Sequence, residues 1–336
     1  MSPGPVEMVV EALAATGAIT PTLAWVVVAT FLAGIIVERF DHRRARYTFA
    51  LAWLLFGVFW FTLIHHFAFA EKSIVEGIGT VAAVPISIYV AVLLVRGRDS
   101  LFVASRAIGV MGLIFLPVES IPVLRRTLIE TVTGQTAFLI DLIGVDPMVV
   151  GGMTIDGLDI ADKQRPYWST FVFYHQGDPI TYTIVLACTG LGSMSIMGGL
   201  IAAVDAPLRR KAKALAMSIP IIYGLNLVRN VFIAVGFGEQ LLHVFPDAVM
   251  ALFAIESEVM VSYYVADRII AQSLSVVAML AITWLIVHEL PEVLTVLEDA
   301  LFVLTGTEYD LADALGVDRS GDASVSRPEP TKSEAD

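Results

Sequence analysis

Cys188 is the sole cysteine in a chain of 336 residues, and it sits in the apolar run TIVLACTGLGSM. Arg229 sits in YGLNLVRNVFIAV and Arg268 in YYVADRII. A single thiol makes neither an internal disulfide nor a cysteine-cluster metal site. What it can do is attack a carbonyl carbon. The thiolate is the reactive form of cysteine, and a nearby cation favours it. Apolar surroundings oppose that charge, so two cations serve better than one. One guanidinium can hold the thiolate while the other stabilises the oxyanion of a tetrahedral intermediate. Arginine stays protonated and makes a poor general base. The proton therefore leaves before attack or through another group, and His175 is the best-placed spare base.

The elements that must position these residues are membrane helices. The chain is 57% hydrophobic and 16% charged, whereas a soluble domain carries about 25% charged residues. Apolar runs at 22–37, 47–69, 75–95, 101–124, 181–204, 214–236 and 269–287 approach or reach bilayer-crossing length. We therefore expect an all-α polytopic membrane protein of about seven transmembrane helices, the first of them short. The run 241–266 is broken by Asp247, Glu256 and Glu258, so it reads as interfacial or re-entrant. Cys188 falls about seven residues after the start of the fifth run, and Arg229 about seven before the end of the sixth. Two antiparallel helices thus bring thiol and guanidinium roughly 10 Å inside the same boundary. Arg268 opens the seventh run from that side.

Small residues follow the cysteine. Thr189, Gly190, Gly192 and Ser193 let a neighbouring helix or a substrate backbone approach closely. Asn226 shares a helical face with Arg229, where it can orient the guanidinium or line a pocket. Each residue also has a plain reading. A lone membrane cysteine is commonly a small apolar core residue, and Arg268 alone is an interfacial anchor. Arg229 is harder to set aside, because a charge inside a span marks a functional site by default. The coincidence of all three at one depth favours a site. Glu119 and the pair His65-His66 are lesser candidates near the same boundary. Neither a metal site nor a cofactor motif is expected: Gly190-Leu-Gly192 lacks the third glycine of a nucleotide loop, and no HExxH occurs.

Charge orients the bundle. The loops after the first, third and fifth runs hold Arg39, Arg43, Arg44, Arg46, Arg96, Arg98, Arg209, Arg210, Lys211 and Lys213. Such loops face the cytoplasm, so the N-terminus is expected outside, the C-terminus inside and the candidate site on the extracytoplasmic side. The net charge of −12 excludes a nucleic-acid partner. With only five lysines, such an acidic surface suits a salt-rich environment.

The expected organisation follows. Residues 1–21 form an extracytoplasmic interfacial helix, and 22–124 a four-helix transmembrane part. Residues 125–180 form an extracytoplasmic cap, with a helix over 136–143 and a β-hairpin over 148–160 around Gly151-Gly152 and Asp156-Gly157. Residues 181–288 form the catalytic transmembrane part. An amphipathic helix at the inner surface takes 289–315, and 316–336 is a disordered acidic tail.

The segments LACTGLGSMS, NLVRNVF and YYVADR, set in an acidic multi-span chain, resemble the exosortase/archaeosortase family over most of residues 20–290. The resemblance implies a Cys-Arg-Arg triad, with Cys188 as nucleophile and Arg229 and Arg268 as its second and third members. Arginine, not histidine, in the third place points to the archaeal branch. The implied activity is that of a sortase-like cysteine transpeptidase. Its substrates would be secreted surface proteins with a C-terminal signal: a Pro-Gly-Phe motif, an apolar helix and basic residues. Cys188 would form a thioester near the motif, and a membrane lipid carrying an amine would be the acyl acceptor. The residues themselves leave two alternatives open. One is a cysteine protease in which water resolves the thioester. The other is a transporter or receptor-like bundle whose arginines bind an anionic solute.

Overall fold

The computed structural model describes residues 5–67, 74–151, 154–155, 158–159 and 167–317. Its helices begin where the sequence supplies start signals. Helix α1 is Pro5–Thr16 and leads through a 3-10 turn, Gly17–Ile19, into α2, Thr20–Glu38. Helix α3, His42–His65, is capped by Asp41, whose carboxylate accepts from the Arg44 N–H at 3.0 Å. Helices α4, Ile74–Val95, and α5, Leu101–Ser120, each carry an internal proline, which packing between membrane helices tolerates. Helix α6, Pro122–Leu142, starts on proline.

Strands β1, Met148–Val150, β4, Thr170–His175, and β5, Asp178–Thr183, form an antiparallel sheet in the order β1-β4-β5. Strands β2, Thr154–Ile155, and β3, Leu158–Asp159, form a separate pair. That pair covers only the part of the hairpin expected over 148–160 that flanks Asp156-Gly157, a turn outside the described residues; Met148–Val150 pairs with β4 instead. Helices α7, Leu191–Ala203, α8, Leu208–Gly238, and α9, Pro246–Phe253, follow. The last long helix passes from α10, Val261–Tyr263, through a π-helical turn, Tyr264–Ala271, into α11, Gln272–Glu289. Helices α12, Leu294–Thr305, and α13, Leu311–Leu315, close the described chain. The acidic tail beyond Val317 lies outside it.

The chain is an all-α polytopic membrane protein with a small sheet, as expected. Among the described residues, six helical stretches are long and apolar enough to cross a membrane: Leu13–Glu38, His42–His65, Gly77–Val95, Leu101–Ser120, Leu208–Gly238 and Glu258–Glu289. Three expectations change in detail. The first span begins in α1, so its apolar part joins the segment expected to be interfacial. The fifth run, 181–204, is no continuous helix. Its start belongs to β5, because Ile180 and Tyr182 turn inward in strand alternation and Phe171 and Phe173 pair across from them. Only 191–203 is α-helical. The seventh span starts near Glu258 and not at 269, which absorbs part of the segment read as re-entrant.

Two packing regions divide the bundle. Phe31, Phe49, Trp53, Leu94 and Phe102 join α2, α3, α4 and α5, and buried Trp53 donates to Ser105 Oγ at 2.9 Å. The second region carries the candidate site. Phe171, Phe173, Ile180 and Tyr182 of the sheet pack on Ile129 and Val132 of α6 and on Ile233 and Phe237 of α8. A Cβ at Gly238 would lie only 2.3 Å from the Phe173 ring, so the sheet rests directly on the C-terminal end of α8.

The expected basic loops meet at the opposite end of the bundle. Arg46 binds Asp99 at 2.8 Å, Arg98 binds Asp299 and Glu308, Arg106 binds Asp205, and Arg210 binds Glu292. Arg98 and Arg210 thereby anchor the segment after α11 to the ends of α4 and α8.

Candidate active site

Cys188 lies in a 3-10 turn, Leu186–Thr189, between β5 and α7. The turn is tied down on both sides. The Ile184 N–H donates to Ser169 O at 2.8 Å. Thr189 is fully buried, and its hydroxyl donates to Leu186 O at 2.7 Å. Thr189 thus closes the turn and presents no hydroxyl to a ligand. Gly190 follows in the left-handed region, φ +76°, and a Cβ there would lie 3.1 Å from the Asn226 side chain. Glycine meets both demands, which is why the chain can reverse here and start α7 against α8.

The reversal presents the half-buried thiol beside α8. Asn226 Nδ2 donates to the Cys188 carbonyl at 2.7 Å, and Asn230 Nδ2 donates to the same oxygen at 2.9 Å. Asn226 therefore holds the cysteine backbone; orientation of the Arg229 guanidinium falls to another residue. That residue is Asp267. Arg229 Nη2 donates to Asp267 Oδ1 at 2.5 Å, and Arg268 Nε lies 3.6 Å from Asp267 Oδ2. The Asp267 side chain is 10% exposed, against 28% for Arg229 and 39% for Arg268. Arg268 does not open its helix, since Glu258–Met260 and α10 precede it. It sits in the π-helical turn, a local widening that recurs at functional sites.

Two tyrosines complete the cluster. Tyr182 lies within electrostatic reach of Cys188, Arg229, Asp267 and Tyr263. Burial pushes its phenol well above the usual value, so it stays neutral and available as a donor. Tyr263 lies within hydrogen-bonding reach of Asp267 and within electrostatic reach of Arg268 and Cys188. A cleft of about 70 Å³ runs from Gly190, Asn226 and Arg229 between α7, α8 and α11, past Ser193, Ser275 and Met279.

Cys188, Gly190, Asn226, Arg229 and Arg268 therefore belong to one neighbourhood, with Thr189 beneath it. His175 does not. It ends β4 at the hairpin tip, paired with Asp178. Phe173 already sits against Gly238, about 12 Å along α8 from Asn230 by helical rise, and His175 lies beyond it. Glu119 is engaged by Arg125. Among the described residues, no group of three or more His, Cys, Asp or Glu could hold a metal.

Asp267, Asn230, Tyr182 and Tyr263 were not singled out from the sequence. For Asp267 a signal exists: a carboxylate beside Arg268 in an otherwise apolar stretch is costly unless paired. Asn230, one residue past Arg229, carries no comparable sign.

The chain matches the transmembrane exosortase family over residues 18–257. It is 46% identical over 312 residues to archaeosortase A of Haloferax volcanii, covering 90% of this chain and 99% of that protein. It is 43% identical over 298 residues to archaeosortase A of Natronomonas pharaonis, covering 87% and 91% respectively. No solved structure matches it. With a family match across most of the chain and relatives aligned nearly end to end, the chain belongs to the transmembrane exosortase family of membrane protein-sorting enzymes.

Proposed function

We propose that this protein is a membrane-embedded cysteine transpeptidase that cleaves the C-terminal sorting signal of surface proteins. The observation that carries the reading is a lone thiol on a rigid turn, in one cluster with two arginines that share a single carboxylate. Cys188 Sγ attacks the scissile carbonyl near a Pro-Gly-Phe motif, and a C–S bond forms. The tetrahedral oxyanion rests on a guanidinium, with Arg229 and Arg268 the available donors. The intermediate collapses, the C–N bond breaks, and the leaving amine departs with a proton. The protein remains as a thioester on Cys188. The amine of a membrane lipid then attacks the thioester, restores the thiol and leaves the protein amide-linked to its anchor. Asn226 and Asn230 serve by fixing the Cys188 backbone. The basic end of the bundle faces the cytoplasm and the cluster faces outward.

The test uses membranes containing the full chain and a reporter ending in a Pro-Gly-Phe motif, an apolar helix and basic residues. Cys188→Ser should insert normally and leave the reporter uncleaved. A trapped Cys188 adduct should weigh as the protein acylated by the reporter fragment. Full cleavage by Cys188→Ser would overturn Cys188 as the nucleophile and with it the cysteine-enzyme reading, and no cleavage by the unaltered chain would leave an anion-binding bundle. A product with a free carboxylate in the presence of lipid amine would leave a protease.

A further inference from the structure

We infer that Asp267 is a positioning residue that sets both arginines for catalysis, an inference resting on the transpeptidase reading above. Its carboxylate is nearly buried and splits its two oxygens between two guanidiniums: Oδ1 takes Arg229 from α8, and Oδ2 faces Arg268 from its own turn. No local rule forces this arrangement. Arg229 and Asp267 lie 38 residues apart, on different helices. The π-helical turn brings Asp267 and its neighbour Arg268 to the same face of the cluster as Tyr263.

The chemistry explains why a carboxylate belongs here. Two guanidiniums at one thiol repel each other, and Arg229 borders an open cleft. Asp267 offsets one charge and occupies one N–H of the Arg229 fork. The remaining N–H groups are left at a fixed angle for a developing oxyanion, and geometry fixed before reaction is what accelerates the step. Asp267 touches no reacting atom in this scheme. It acts through Arg229 and Arg268.

The test measures reporter cleavage by Asp267→Asn and Asp267→Glu in membranes, normalised to inserted, protease-resistant protein. Asp267→Asn keeps the shape and removes the charge. It should lower kcat by about 10- to 100-fold while KM stays within about 2-fold, and Asp267→Glu should recover part of the loss. Combined with Arg229→Lys, the loss should be smaller than the product of the two single losses, because both act through one contact. Wild-type kcat in Asp267→Asn would overturn the inference. So would a loss that vanishes on normalisation, or one confined to KM. These outcomes are separable from failure of the transpeptidase reading, which is decided by Cys188→Ser and by the C-terminal group on the product.

Discussion

The side-chain amide of Asn226 reaches across from α8 and donates to the backbone carbonyl of Cys188 at 2.7 Å. This bond fixes the position of the thiol relative to the helix that carries Arg229. Asn230, one turn further on, donates to the same oxygen. The nucleophile is thereby referenced to the cation through a pair of hydrogen bonds, and direct contact between them is not needed. Asn226→Ala should insert normally and lower kcat about 10-fold by loosening the turn. Asn230 is fully buried, so Asn230→Ala should also cost about 1–3 kcal/mol of stability. Thermal denaturation in detergent separates the two effects. Equal cleavage rates in wild type and Asn226→Ala would show that the bond is idle.

Arg229→Lys should lose most cleavage activity although the charge is retained. Lysine brings a compact point charge and cannot hold Asp267 while presenting further N–H groups in one plane. The measurement is initial cleavage rate at saturating reporter. A rate close to wild type would argue that only charge matters at this position.

Gly190→Ala should damage both stability and rate. The backbone there is left-handed, and the new Cβ would press on Asn226 at 3.1 Å. The expected cost is more than about 1 kcal/mol, with slower cleavage because Asn226 must shift. Gly192→Ala is the control, since a Cβ there meets nothing within 4 Å. Similar behaviour of the two variants would rule out the close approach as the cause.

Because Cys188 is the sole cysteine, thiol labelling reports on it alone. A membrane-impermeant maleimide should reach it in intact cells, from the side opposite the basic loops. Excess reporter peptide should slow the labelling. Labelling only after permeabilisation would reverse the proposed orientation.

Much of the site was legible in the sequence. An arginine in the middle of an apolar run stands out because burying a charge is expensive, but the helical rise counted from residue 181 to Cys188 does not hold, since β5 and a 3-10 turn occupy that stretch. His175 failed the same kind of reasoning. Its distance from the thiol depends on the direction of a hairpin, and proximity in the chain says nothing of that. The local signs at Gln176-Gly177, both with positive φ, mark a tight turn, but which way the hairpin points is decided by Phe173 seating on Gly238.

What the sequence determined by itself was the membrane class, most of the spans, the gathering of the basic loops at one end, and the choice of Cys188 and Arg229 as residues out of place in apolar runs. These follow from hydropathy, run length and the cost of buried charge, all of which act locally. Only the tertiary structure decided that 178–183 is a strand and not the start of a helix, because the pairing of Phe171 with Tyr182 and the packing of both against α8 outweigh an apolar run. Only it decided that Arg229 answers to Asp267 and that Cys188 hangs from Asn226 and Asn230. Those partners stand 38 to 42 residues apart. Contacts at that separation are set by how helices pack, and no periodicity within either segment encodes them.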